Sequence, residues 1–122
     1  MPHIIIEGKS INFESIHTCF AIVVERKNNY IIKLEDSFLN QSKDLILIKT
    51  TVIESNNNNQ KYYIQLMKKE NQVTVRLDPT TDPSDKNNGV KTSIAKVANI
   101  IFSIHKESDN LSITKTNLEG FI

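Results

Sequence analysis

The sequence predicts an α+β fold in which one mixed β-sheet is covered by two helices, and three stretches carry that expectation. In residues 60–78, apolar and polar positions alternate on either side of a polar bend at 68–72, with Tyr62, Ile64 and Leu66 on one arm and Val73, Val75 and Leu77 on the other. Period-2 patterning rich in aromatic and β-branched residues is the signature of a β-hairpin. In residues 90–105, Val90, Ile94, Val97, Ile101 and Ile104 recur at steps of four and three, which makes one apolar helical stripe. Residues 44–54 alternate with apolar side chains on both faces, as a strand inside a sheet does. A hairpin with an apolar face needs a cover, and the striped helix supplies one.

The other elements follow in chain order. Residues 3–7 are a short apolar run bounded by Gly8 and are expected to form a buried first strand. In residues 10–40, Ile16, Cys19, Phe20, Val23 and Val24 fall on a helical stripe, with Ser10 or Asn12 placed to cap it and Glu14 in the first turn. This predicts a helix from about 13 to 25 and a second helical piece over 30–38, with Tyr30, Ile31, Leu34 and Phe38 on one side. The β-branched content of FAIVVE and YIIKLED keeps a hairpin about residues 26–29 open as the alternative. The asparagine run 56–59 reads as a polar loop. Asp82-Pro83, with Asp85, reads as the start of the second main helix, which runs to about Lys106. Residues 111–118 alternate again and are expected to be a closing or edge strand. This order can also be cut into two strand-helix-strand units.

A chain of 122 residues is sized for one domain with one core. With 39% hydrophobic residues it is too apolar to be disordered. Fifteen basic residues against 14 acidic ones give a net charge of +1, too little to gather polyanions over the whole surface, so nucleic acid is not an expected partner, although a local patch stays open. The hairpin carries Lys61, Tyr62, Tyr63, Lys68, Lys69 and Arg76, but adjacent tyrosines on a strand point to opposite faces, so at most one of them joins such a patch. Cys19, the single cysteine, has no internal disulfide partner and is expected to be buried among apolar neighbours. The first ten residues contain neither a basic n-region nor an apolar span, so the expectation is a cytoplasmic chain with no membrane partner. His3, His17 and His105 are scattered, the acidic residues of 78–89 miss the calcium-loop register, and no glycine-rich phosphate turn occurs. No metal and no cofactor is therefore expected.

The N-terminal MPHIIIE, a proline directly after the initiator methionine and leading an apolar strand, resembles the tautomerase superfamily, and most closely its 5-carboxymethyl-2-hydroxymuconate isomerase-like members. EGKS at 7–10 and the pair Ile16-His17 are similar to segments that follow the first strand in that family. The resemblance implies that Met1 is removed and that Pro2, now an N-terminal secondary amine, is the catalytic base for isomerising a small conjugated keto acid. It also implies a homo-oligomer, a trimer, and cations that bind the anionic substrate. The family's arginines are not matched in register; the candidates are Arg26, Arg76, Lys86 and Lys91. An amine becomes a neutral base near pH 7 when an apolar pocket or neighbouring cations disfavour its charged form, and Pro2 at the head of an apolar strand suits that requirement. The alternative is a small non-catalytic interaction subunit. Residues 89–104 resemble the last helix of the smallest component of archaeal and eukaryotic tRNA-modification complexes, a family that lacks a strand such as 111–118; another protein-binding α+β module is the broader form of this reading.

Overall fold

The computed structural model describes residues 1–55, 58–105 and 111–122. Its strands are β1 (His3–Glu7), β2 (Val23–Arg26), β3 (Tyr30–Leu39), β4 (Leu45–Glu54), β5 (Asn59–Lys69), β6 (Gln72–Leu77) and β7 (Ser112–Thr116), and its helices are α1 (Phe13–Cys19) and α2 (Asn88–Ile104). The strands form one curled seven-stranded sheet in the order β2-β3-β4-β5-β6-β1-β7. The architecture is α+β. Every ladder is antiparallel, which corrects the expected mixed sheet. The division into strand-helix-strand units fails with it: α1 lies against β3 and β4 and delivers the chain to β2 at the opposite edge, not back beside β1.

Register sorts the side chains into two faces. Ile4 and Ile6 of β1, Val73, Val75 and Leu77 of β6, Tyr62, Ile64 and Leu66 of β5, and Ile46, Ile48 and Val52 of β4 all point inward and are buried. Strand β3 joins them with Ile32 and Leu34, and then a bulge between Leu34 and Asp36 advances the pattern by one residue, so that Ser37 faces inward and Asp36 and Phe38 face outward. The expected helical piece over 30–38 is thus a strand. The bulge conceals its period of two, and the steps Tyr30, Ile31, Leu34 and Phe38 mimic a helical stripe.

Helix α1 is real but short. Asn12 caps it, accepting from Ser15 N at 3.0 Å, and Phe13 and Ile16 are its buried residues. Phe20 turns extended, and the β-branched run after it pairs with β3 from Val23↔Leu34 to Arg26↔Ile31, so the hairpin alternative holds for the second half of this region. Cys19 is exposed, contrary to expectation. The buried side of α1 runs on to the half-buried Phe20, and its neighbour Cys19 lies about 100° round the helix from it.

Helix α2 begins later than Asp82-Pro83 suggested. Asp78 instead caps a one-turn 3-10 helix, Pro79–Thr81, and Asn87 caps α2 by accepting from Val90 N at 3.0 Å. Val90, Ile94, Val97 and Ile101 are buried, as the stripe predicts, and Ile104 is half-buried. The expected end at Lys106 lies outside the described residues, as do Asn56 and Asn57 of the asparagine run, while Asn59 already belongs to β5.

Three contacts fix how α2 sits. A Cβ at Gly89 would lie 2.7 Å from Val52 Cγ1, so the missing side chain is what allows this approach. Ser93 Oγ donates to Val90 O, which leaves its lone pair for the Tyr62 hydroxyl at 2.6 Å; burial pushes that phenol well above its ordinary range. At the far end, His105 Nδ1 donates to Ile101 O at 2.9 Å while Nε2 accepts from Asn12 N at 3.0 Å, joining the end of α2 to the cap of α1. A charged clip adds to these at the sheet edge, where Glu25 of β2 pairs with Lys27 and with Lys96 of α2. Strand β7 pairs with β1 at the other edge, as expected of the closing strand.

Two predictions follow from this seating. Gly89→Ala should destabilise the chain in urea by about 1–3 kcal/mol through overpacking against Val52, although alanine is favoured over glycine in an unencumbered helix by up to about 1 kcal/mol. Stabilisation instead would show that α2 stands further off. Glu25, whose carboxyl is held below its ordinary value of 4.5 chiefly by the Lys27 and Lys96 ammonium groups, contributes stability that is whole above that value and lost as pH falls through the lowered one. Glu25→Gln should therefore lower stability at neutral pH by under about 1 kcal/mol, and the difference from the parent should vanish in acid.

Candidate functional site

Pro2 is buried at the head of β1 and lines a pocket of about 330 Å³ with Met1, Lys86, Lys91, Asn117 and Leu118. Antiparallel pairing builds the floor. His3 is opposite Arg76 on β6 and Ile4 is opposite Thr116 on β7, so the N-terminus emerges between those two strands. Asn117, one residue past β7, clasps it: its Oδ1 accepts from His3 N at 3.0 Å and its Nδ2 donates to Met1 O at 2.9 Å. The His3 ring donates from Nδ1 to the same Met1 carbonyl at 3.0 Å. Two side-chain donors thus converge on the carbonyl that precedes Pro2.

The lysines arrive from the loop before α2 and from its first turns. Lys86 Nζ is engaged by Asp82 Oδ2 at 2.8 Å and Pro83 O at 2.7 Å, so much of its charge is answered locally. Lys91 stands 5.8 Å from the centroid of the Phe121 ring and has no carboxylate within ion-pair reach among the described residues. The pocket therefore holds one compensated cation and one uncompensated cation beside a buried proline. That is an arrangement able to draw in a small anion.

The two arginines lie elsewhere. Arg26 lines a separate pocket of about 250 Å³ at the β2–β3 turn, with Tyr30, Ile31 and Ile53. Arg76 is on the outward face of the sheet, where its Nε donates to Gln65 Oε1 at 2.8 Å and its Nη2 reaches Met67 Sδ at 3.6 Å. Of the five residues nominated from the sequence, the fold brings Pro2, Lys86 and Lys91 together and leaves Arg26 and Arg76 out. His3 and Asn117 were not nominated; an asparagine after an edge strand has no spacing signal that ties it to the N-terminus.

The outward face is a second surface of interest. Phe38 and Met67 are exposed there, and Tyr63 stands beside Phe38 with ring centroids 6.2 Å apart at 67°. Tyr62 and Tyr63 do point to opposite faces, the first to α2 and the second outward. Among the described residues, no helix is long and apolar enough to cross a membrane. No family model, no curated protein and no solved structure matches the chain.

Proposed function

We propose that the chain binds a small organic anion at the head of β1 and, once Met1 is removed, moves a proton on it with the Pro2 amine, as a tautomerase-like isomerase of a conjugated keto acid does. One observation carries this reading: Pro2, Lys86 and Lys91, distant in the chain, line one pocket. Lys91, the cation without a carboxylate partner, disfavours protonation of a neighbouring amine and so favours the neutral base. The same charge attracts a carboxylate and stabilises negative charge that develops on the substrate's oxygen. Loss of Met1 also removes the carbonyl held by Asn117 Nδ2 and the His3 ring, which frees both donors for a substrate oxygen. The antiparallel sheet is not the pair of strand-helix-strand units that the N-terminal resemblance implies, so the reading rests on the site and not on the fold.

A second reading, a small non-catalytic interaction module, is favoured by a different observation, the exposed Phe38 and Met67 on the outward face. Here β7 pairs with the sheet, a strand that the smallest tRNA-modification subunit lacks, which supports the broader form of this alternative.

The proton-transfer reading is tested by intact mass together with a ketonisation assay on a 2-hydroxymuconate or phenylpyruvate-type enol. A chain beginning at Pro2 should be active and one retaining Met1 inactive, because the amide lone pair is delocalised. Lys91→Met should raise KM, and it should move the acidic limb of the kcat/KM profile to higher pH, since removing the cation raises the pKa of the amine. Lys86→Met should do less, because Asp82 already answers its charge. Activity with Met1 in place, or none from the Pro2 form, overturns the proposal.

A further inference from the structure

Register arranges the outward face in rows that cross the strands. One row runs Lys33, Thr51, Lys61; the next Asp36, Lys49, Tyr63; the next Phe38, Leu47, Gln65, Arg76. Successive rows lie two residues apart along β4 and β5, about 7 Å, and on β3 the bulge sets Lys33 and Asp36 three apart. The face is markedly one-signed for a chain of net charge +1. Arg26, Lys33, Lys49, Lys61, Lys69 and Arg76 stand on β2 to β6, against Asp36 and against Glu35, whose carboxylate accepts from Thr51 Oγ1. Among the described residues, Lys33, Lys49 and Lys61 have no carboxylate within ion-pair distance. Between these cations lie the rings of Phe38, 46% exposed, and Tyr63, with Met67 alongside at 44%.

We propose that this face binds single-stranded nucleic acid, with bases stacking on Phe38 and Tyr63 and phosphates held by Lys33, Lys49, Lys61 and Arg76. The inference rests on the interaction-module reading and names its partner; it is independent of the chemistry at Pro2. Every base has a π-face, so an aromatic pair set among cations recognises a flexible strand with little regard to sequence. Charge chooses this occupant over a second copy of the chain, because two such faces apposed would set lysines against lysines. Geometry chooses it over an anionic membrane. Among the described residues, the large apolar side chains exposed on this face are Val24, Phe38 and Met67, too few to insert as a wedge into a bilayer. Arg76 is already held on that face by Gln65 and Met67. The face continues into the pocket lined by Arg26, Tyr30, Ile31 and Ile53, which extends it beyond the aromatic pair.

The test is fluorescence anisotropy of a labelled single-stranded oligothymidylate titrated with the full chain over a range of salt, beside a duplex of the same length. Binding should favour the single strand, and log K should fall linearly with log salt. Lys49→Gln and Lys61→Gln should each reduce that slope by about 0.7, the contribution of one phosphate contact on a single strand. Phe38→Ala should weaken binding roughly ten-fold through lost stacking, with the thermal midpoint measured as a control for folding. Equal affinity for duplex, salt-independent binding, or lysine variants with unchanged slope would overturn the inference. If the oligonucleotide fails while anionic vesicles bind, or while the chain self-associates in sedimentation and Phe38→Ala disperses it, nucleic acid is overturned but the face remains an interaction surface. Failure of all three overturns both.

Discussion

The close approach of α2 to the sheet at Gly89 is the contact on which the other features depend. It lets the helix axis come down on Val52 and brings Ser93 to the Tyr62 hydroxyl, so the inward side chains of β3 to β6 are covered and dry. A helix on one face leaves the other face to solvent, and an antiparallel sheet tolerates that where a parallel one does not. The same seating sets the path of the chain into α2. Because Asn87 caps the helix, Lys86 sits just before its first turn and Lys91 within its first turns, and both lie beside the head of β1. The pocket and the open face are two consequences of one docking geometry.

How far this could be read from the residues depends on whether a pattern ran unbroken. The hairpin arms of β5 and β6 and the stripe of α2 keep their periods from end to end, and the faces they predicted are the faces observed. Strand β3 breaks its period at the bulge beside Glu35, and with that break Phe38 was assigned to a helix. The error hid the second aromatic of the open face, because only with β3 extended does Phe38 come beside Tyr63. Strand neighbours were also illegible. Periodicity reports which side of a strand is apolar but not which strand lies next to it, so the antiparallel order was found only in the fold. At the N-terminus, Pro2, Lys86 and Lys91 could be nominated by chemistry; their convergence, and the role of Asn117, belong to the β1–β7 pairing.

Net charge says nothing of where the charges lie. A value of +1 is a sum over the whole chain, in which some acids and bases are paired and others stand apart. Glu14, Glu25 and Asp82 are consumed in pairs with Lys43, Lys27, Lys96 and Lys86, away from the centre of the outward face, while Lys33, Lys49 and Lys61 share that face with few acids. Electrostatic arguments about partners apply to faces, since screening limits the reach of each charge to about 8–10 Å. A near-neutral chain can therefore carry one strongly basic surface. The distribution, and not the sum, decides what it attracts.

All of this depends on the register that turns Tyr62 toward α2 and Tyr63 toward Phe38, because a slip of one residue exchanges the two faces of a strand. Nuclear Overhauser contacts from the two tyrosine rings test that register directly. The structure predicts contacts from Tyr62 to Ser93 and its neighbours on α2, and from Tyr63 to Phe38, with no crossing between the two sets. Contacts from Tyr63 to the methyl groups of α2, or from Tyr62 to Phe38, would contradict the account, because they would place the apolar core and the basic face on the wrong sides of the sheet.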